Sequence, residues 1–311
     1  MTSARIIGAA YELGEHSEPV ADLEELHSLE DLRAFLLSDL AGFDRFLSTD
    51  ASVLELIATA AGKAMSEANV AGEEIDAVIL ATDSLTRSRV AHDEVRSLMA
   101  TLGTASATPF TIGMLDCAAP LVAISVAANM VAQNMQHNVL VLAGDVSEIA
   151  AYGSRIVAGG SAIASDAASA VVVSNRGSGR TILGSSSDYS PELMSDNLDS
   201  HRRLNLRVRA HRRLHERLRS SYAGTWHQPE LVVTSNLARQ LVTMYLEDMG
   251  YMEDRIYQNN VALNAHCLGS DPIINLVDAE AAVGASHQSR LLMGLGVAHS
   301  ALVLVGSHDD A

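Results

Sequence analysis

Cys117 is the residue whose setting most invites chemistry. It stands in Thr111-Ile-Gly-Met-Leu-Asp-Cys-Ala-Ala-Pro120, where a short strand pattern runs into a long, nearly all-apolar stretch, Leu121–Met135. A helix apolar on every face is a buried helix. Cys117 falls in its first turn, where unpaired N–H groups and the positive dipole end stabilise a thiolate and can bind an oxyanion. Pro120 suits a first turn, since its missing N–H costs nothing there. Asp116 opposes a thiolate if its carboxylate faces the same way. From these residues two readings stand, an activated nucleophile or a small core cysteine among alanines. The other cysteine, Cys267, reads as packing. There is no Cys-x-x-Cys pair, so no metal site is expected.

The elements that must hold Cys117 follow from the apolar pattern. Arg5–Ala9, Ala77–Ala81, Thr111–Leu115, Val139–Ala143 and Ala168–Val173 read as buried strands. Val53–Ala68, Asp93–Leu102 and Ala118–Met135 read as helices between them. The second part repeats the theme. Leu231–Val233, Asn260–Asn264 and Ser300–Val305 read as strands, Leu237–Met249 and Pro272–Val283 as helices. This alternation predicts an α/β fold with helical cover. One peptide recurs: His137-Asn-Val-Leu-Val-Leu-Ala-Gly-Asp145 matches His299-Ser-Ala-Leu-Val-Leu-Val-Gly-Ser307 at His, Leu, Val, Leu and Gly. That match suggests a duplication, although an apolar strand ending in Gly is common. The break falls in Asn175–Arg180, giving halves 1–175 and 176–311.

Bulk properties exclude several classes. A net charge of −17 disfavours nucleic-acid binding. The longest apolar stretch, Ala118–Ala132, contains Ser125 and Asn129 and is short for a membrane span. The N-terminal segment reads as a strand, not a signal peptide. A soluble cytoplasmic protein is expected. His201–Ser220 is unusual: Arg202, Arg203, Arg207, Arg209, Arg212, Arg213, Arg217 and Arg219 face a single acid, Glu216. Leu204, Val208, His211, Leu214 and Leu218 recur at helical spacing, so this is a basic amphipathic helix.

Asp116 to Val173 resembles the active-site half of the ketoacyl-ACP synthase III family, within the thiolase-like superfold. The carriers are the Cys at the elbow, the strand ending Ala143-Gly144-Asp145, and the turn Ala164-Ser-Asp-Ala-Ala-Ser-Ala-Val171. Ile6-Ile-Gly-Ala-Ala10 and Ile75-Asp-Ala-Val-Ile-Leu-Ala-Thr82 fit as well. The resemblance implies two duplicated βαβαβ halves layered α-β-α-β-α, and a homodimer whose loop Thr82–Arg89 enters the partner's site. It also implies an acyl-carrying Cys117 and no bound cofactor.

The second half departs from the family. The condensing His of a His-Gln-Ala-Asn segment is missing; Thr234 or Ser235 stands near its place, and Asn236 matches the last Asn. In Leu263-Asn-Ala-His-Cys-Leu-Gly-Ser-Asp-Pro272, His266 occupies or adjoins the family's Asn position. Cys117, His266 and Asp271 then form a thiolate–imidazole–carboxylate set for acyl transfer. This resembles the antibiotic-pathway branch that makes esters or amides. Asp271-Pro272 is also an ordinary helix start, with Asp as cap. Gly294 and Gly296 match a turn that supplies an oxyanion-hole N–H beside that of Cys117; an ordinary turn is the other reading. The CoA-binding segment keeps only Arg45 of its contacts, so the donor is an acyl-CoA or an acyl carrier protein. Arg209, Arg212 and Arg213 of the basic helix are docking candidates for either, or pair with the protein's own acids. The expected activity is acyl transfer to a small-molecule hydroxyl or amine, in polyketide or antibiotic biosynthesis. Decarboxylative condensation and a non-catalytic carrier-binding homologue are the alternatives.

Overall fold

The computed structural model describes residues 3–85, 89–195, 197–222, 224–283 and 288–307. Ten strands carry the fold: β1 (Arg5–Leu13), β2 (Ala77–Ala81), β3 (Thr108–Ile112), β4 (Asn138–Asp145), β5 (Ala167–Ser174), β6 (Arg180–Tyr189), β7 (Leu231–Thr234), β8 (Ile256–Tyr257), β9 (Arg290–Leu295) and β10 (His299–Val305). They hydrogen-bond in the order β3-β2-β4-β5-β1-β6-β10-β9-β7-β8. Read outward from the middle, β1-β5-β4-β2-β3 and β6-β10-β9-β7-β8 are one topology used twice. Each runs through two antiparallel and then two parallel pairings. The two meet through a short β1–β6 pairing, Arg5 opposite Thr181 and Ile6 opposite Arg180.

The apolar runs of these strands alternate between two cores, because successive side chains point to opposite faces. Ile79, Val141, Val171 and Val173 of the first set and Val233, Leu292, Val303 and Val305 of the second face one shared core. Leu121, Ile124, Ala127 and Val131 from the helix Ala119–Ala132 fill it, with Ile273, Leu276 and Ala279 from the helix Asp271–Val283. The other faces pack outward. Val78, Leu80, Leu140 and Leu142 meet the helix Val53–Ala68; Leu291, Met293, Leu302 and Leu304 share a core with Leu214 and Leu218 of the basic helix Ser200–Ser221. Helix, sheet, helix, sheet and helix therefore stack in five layers. The Cys117 helix and the Asp271 helix share the middle one, which brings the two ends of the site together.

Four sequence expectations change. Asn260–Asn264 is one helical turn, not a strand; the Asn260 amide bonds back to Asn275 and Asp278 instead of entering a ladder. The strand expected over Thr111–Leu115 lies at Thr108–Ile112. Pro109, which cannot donate, sits there because β3 is a sheet edge. β6 and β9 were not expected as strands: β6 is rich in serine, and the glycines of β9 imitate a turn. The recurring peptide joins β4 to β10, which hold different places in the repeated topology. The repetition lies in strand order rather than in that peptide. Loop residues 86–88 of Thr82–Arg89 lie outside the described residues.

Candidate active site

Cys117 sits where β3 gives way, through Gly113–Leu115, to a 3-10 turn over Asp116–Ala118 and then the helix Ala119–Ala132. Met114 and Asp116 hold φ of 65° and 48°. Left-handed backbone at non-glycine residues costs on the order of 1–3 kcal/mol and persists where neighbours enforce it. Here it leads into the turn that carries Cys117. Among the described residues the Cys117 N–H meets no acceptor, so it remains available to an oxyanion. The Asp116 carboxylate turns aside to accept from the Val297 N–H at 3.0 Å.

Across the pocket, the chain from Asn264 to Ser270 delivers His266. Ala265 holds φ 45° with ψ −140°. His266 is then pinned as a bridge beside Ala164: its N–H donates to Ile163 O, and its carbonyl accepts from the Ser165 N–H, both at 2.8 Å. The imidazole Nε2 stands 3.3 Å from Cys117 Sγ, and Nδ1 stands 2.5 Å from Asp271 Oδ2. Asp271 is fully buried. Its Oδ1 accepts from the Cys267 N–H at 2.7 Å and its Oδ2 from the Asn236 N–H at 2.6 Å. Its oxygens meet His266 and two loop N–H groups, and it forms the first residue of its helix rather than the cap.

Burial lifts the Cys117 thiol above its ordinary value, and the His266 imidazolium, by charge and hydrogen bond, offsets only part of that rise. Burial opposes the His266 cation, but Cys117 and Asp271 overcome it and hold His266 up at about 10. The imidazole therefore sits between two acids that favour its protonated form.

Behind Asp271 runs a buried amide chain. Asn275 Nδ2 donates to Asn236 Oδ1 and Thr234 O, each at 2.8 Å; Asn260 Nδ2 donates to Asn275 Oδ1 at 2.9 Å and to Asp278 Oδ2 at 2.7 Å; Tyr11 donates to Asp278 at 2.6 Å. This scaffold was missed in the sequence. Its signal was present: Asp271, Asn275 and Asp278 recur at helical spacing on a helix that is otherwise apolar but for Glu280.

The remaining candidates serve other ends. Ser235 Oγ accepts from the Leu295 N–H at 3.0 Å, Thr234 Oγ1 is buried without a partner, and Asn236 supports Asp271. None of the three lines the cavity in front of Cys117. Gly296 gives its N–H to His299 O at 2.8 Å, so that donor is already used. Gly294 matters by size: a β-carbon there would lie 2.8 Å from Cys117 O. Of the arginines, Arg45 binds Ser17, Arg212 binds Asp248 and Arg213 binds Asp188; Arg209 has no partner among the described residues. Arg212, Arg213 and Arg217 of the basic helix thus pair with the protein's own acids. Among the described residues, Glu15, His16 and Asp50 form a ligand-like group, which is exposed. No described helix is long and apolar enough to cross a membrane.

The cavity holds about 360 Å³. Its lining includes the apolar Ile156, Val157, Leu268, Leu295 and Val297 and the acids Asp83, Asp116 and Asp145, together with Cys117 and His266. Asp145 was singled out in the sequence only as the end of a strand.

No protein-family model matches the sequence, and no curated protein matches it. Solved structures do. A 3-oxoacyl-[acyl-carrier-protein] synthase III from Aquifex aeolicus superposes with a TM-score of 0.79 at 21% identity, over 97% of this chain and 99% of that one. OleA from Xanthomonas campestris, as a cysteine-to-serine variant with bound lauric acid and lauroyl-CoA, gives 0.78 at 14% identity, over 98% and 99%. Its cerulenin-bound form gives 0.79 at 16% identity, over 98% of each chain. The chain has the thiolase-like fold of 3-oxoacyl-ACP synthase III and OleA along nearly its whole length.

Proposed function

We propose that this protein is an acyltransferase that carries an acyl group on Cys117 and delivers it to a hydroxyl or amine. One observation supports this above the rest. Among the described residues a single imidazole, His266, touches the nucleophile and is backed by a buried carboxylate. Thr234 and Ser235, near the place of the condensing His, do not face the cavity.

The steps balance around that imidazole. The Cys117 thiolate attacks the donor thioester, and the oxyanion sits at the start of the buried helix. The donor C–S bond breaks as His266 gives its proton to the leaving thiolate. Acylation removes the Cys117 charge that helped hold the imidazolium, so His266 is left as a base. It accepts a proton from the acceptor as the new C–O or C–N bond forms, then shares it with the released Cys117 thiolate. Asp271 fixes the ring throughout.

An acyl-CoA donor is favoured by the OleA structure that holds lauroyl-CoA; a carrier-protein thioester remains the other donor of the proposal. A homodimer formed along β3 and a cytoplasmic role in secondary metabolism belong to it as well. The test is intact-mass measurement after incubation with acyl-CoA and acyl-carrier thioesters. An adduct on Cys117, discharged by an added amine or alcohol, is expected. Carbon dioxide release from a malonyl donor with carbon–carbon product would replace transfer by condensation, and no adduct with any donor would remove the enzyme reading.

A further inference from the structure

Asp145 ends β4 inside the cavity and plays no part in the steps above. It is only 8% exposed. Its Oδ1 is saturated by Thr82 Oγ1 at 3.0 Å, the Asp83 N–H at 2.9 Å and Ser84 Oγ at 2.9 Å. Its Oδ2 has no partner among the described residues and lies toward Gly269, in the loop that follows His266; a β-carbon on Gly269 would stand 3.8 Å from it. The oxygen is not sealed in the core; it belongs to a cavity-lining residue, where a cation in the cavity can reach it.

Two further carboxylates line the cavity with it. Asp83 lines the same cavity, its Oδ1 occupied only by the Met114 N–H at 3.3 Å. Asp116 lines it too, partly offset by Val297 N–H and by Arg207, which lies behind Gly296. Among the described residues no lysine or arginine lines the cavity, and the His266 charge is matched by Asp271. Burial lifts Asp145 to about 6, which leaves it ionised at neutral pH.

Resting on the acyltransfer reading, we infer that Asp145 is the anchor for a protonated amine of the acceptor, with Asp83 beside it. The acceptor class is then an amino alcohol or diamine. Its ammonium sits on Asp145 Oδ2 while a second heteroatom attacks the acylated Cys117. The apolar lining of Ile156, Val157, Leu268 and Leu295 takes the acyl chain. The same field repels donors that carry a free carboxylate.

The sign of the field can be read without any acceptor. Cys117 is modified with the cationic 2-aminoethyl and the anionic 2-sulfonatoethyl methanethiosulfonates at pH 7.5, and peptide mass reports the site. Cys267 is buried and its thiol is held up by burial, so it reacts slowly. The cation is expected to react at least tenfold faster relative to free cysteine, and Asp145→Asn to bring the ratio toward one. Asp83→Asn, at an exposed position, should lower it in part and covers the case in which Asp145→Asn does not fold. Parity or anion preference in the parent protein overturns the inference, as does a ratio indifferent to both variants.

A second arm compares trans-2-aminocyclohexanol with trans-1,2-cyclohexanediol as acceptors for the loaded enzyme. A tenfold preference for the amino alcohol, lost in Asp145→Asn, is expected; equal use overturns the amine class. If no adduct forms on Cys117, the acyltransfer reading has failed, whereas an adduct with no amine preference sinks this inference alone.

Discussion

Asp145 and Asp271 are both buried carboxylates, but their partners differ. Burial raises Asp145 to about 6, and the neighbouring charge of Asp83 adds to it. Its folded value thus exceeds that of an unfolded Asp, about 4. Between about pH 4 and 6 the native state binds more protons than the unfolded chain, so this group makes stability fall as pH rises through that window. At pH 7.5 the full cost is present. Asp145→Asn keeps an oxygen for Thr82, Asp83 and Ser84 and sheds the buried charge. It should be more stable by about 1–3 kcal/mol at pH 7.5, with the gain shrinking toward pH 4. Thermal melts of both proteins across that range decide it; a variant less stable at pH 7.5 would show that the carboxylate's bonds outweigh its burial. A carboxylate kept at such a cost is what a binding role requires. Asp271 instead meets His266 and two N–H groups, and its effect is on the ring. Asp271→Asn should lower acyl turnover roughly 10²–10⁴-fold, because the imidazole loses its orientation and much of its proton affinity. A loss below tenfold in steady-state rates would reduce Asp271 to a structural residue.

The elements that aim these residues were legible in the sequence to different degrees. The helix Val53–Ala68 carries its own signals, a Ser52 cap with Glu55 returning the bond and Asn69 at φ 51° to close it. β2 and the buried helix after Cys117 announce themselves by unbroken apolar runs, since both faces are covered. β6 does not, because Ser185, Ser186 and Ser187 give no apolar alternation, and its partners β1 and β10 are far off in sequence. The same limit applies to the site. Cys117, His266 and Asp271 could be named from residue type and resemblance. The amide chain behind them, and the free oxygen of Asp145, exist only once the middle layer brings the two strand sets together. Gly294 shows how tight that meeting is. It lies in β9 against the Cys117 carbonyl, at a spacing that leaves no room for a side chain. Gly294→Ala must push the elbow away from the strand. We expect it to cost about 1–3 kcal/mol in stability. Cys117 loading, read by mass against time, should slow at least tenfold while the secondary-structure spectrum stays that of the parent. Unchanged loading would mean that the elbow tolerates displacement.

The molecule as a whole leaves its two sheet edges unequal. β8 is a two-residue edge, whereas β3 runs five residues with an exposed face, Phe110 at 42% and Met114 at 72% exposure just beyond it. Between β3 and the helix Arg89–Thr101 lies a cavity of about 1300 Å³ lined by Val95, Met99, Phe110 and Ile112. Unpaired backbone beside apolar surface invites another strand, and the simplest partner is β3 of a second copy about a two-fold axis. The chain passes directly from β3 through Gly113 and Met114 to Asp116 and Cys117, so such pairing would stiffen the elbow from outside. The proposed dimer is therefore tied to the chemistry, not only to solubility. Light scattering on the parent protein should give twice the chain mass of 32.9 kDa. Phe110→Lys places a charge on the paired edge and should shift that mass toward one chain. Cys117 loading should fall with the dimer fraction, and should recover at protein concentrations that restore it. A parent protein that scatters as a single chain would leave β3 without its partner. A monomeric variant that loads at the parental rate would instead uncouple the edge from the elbow.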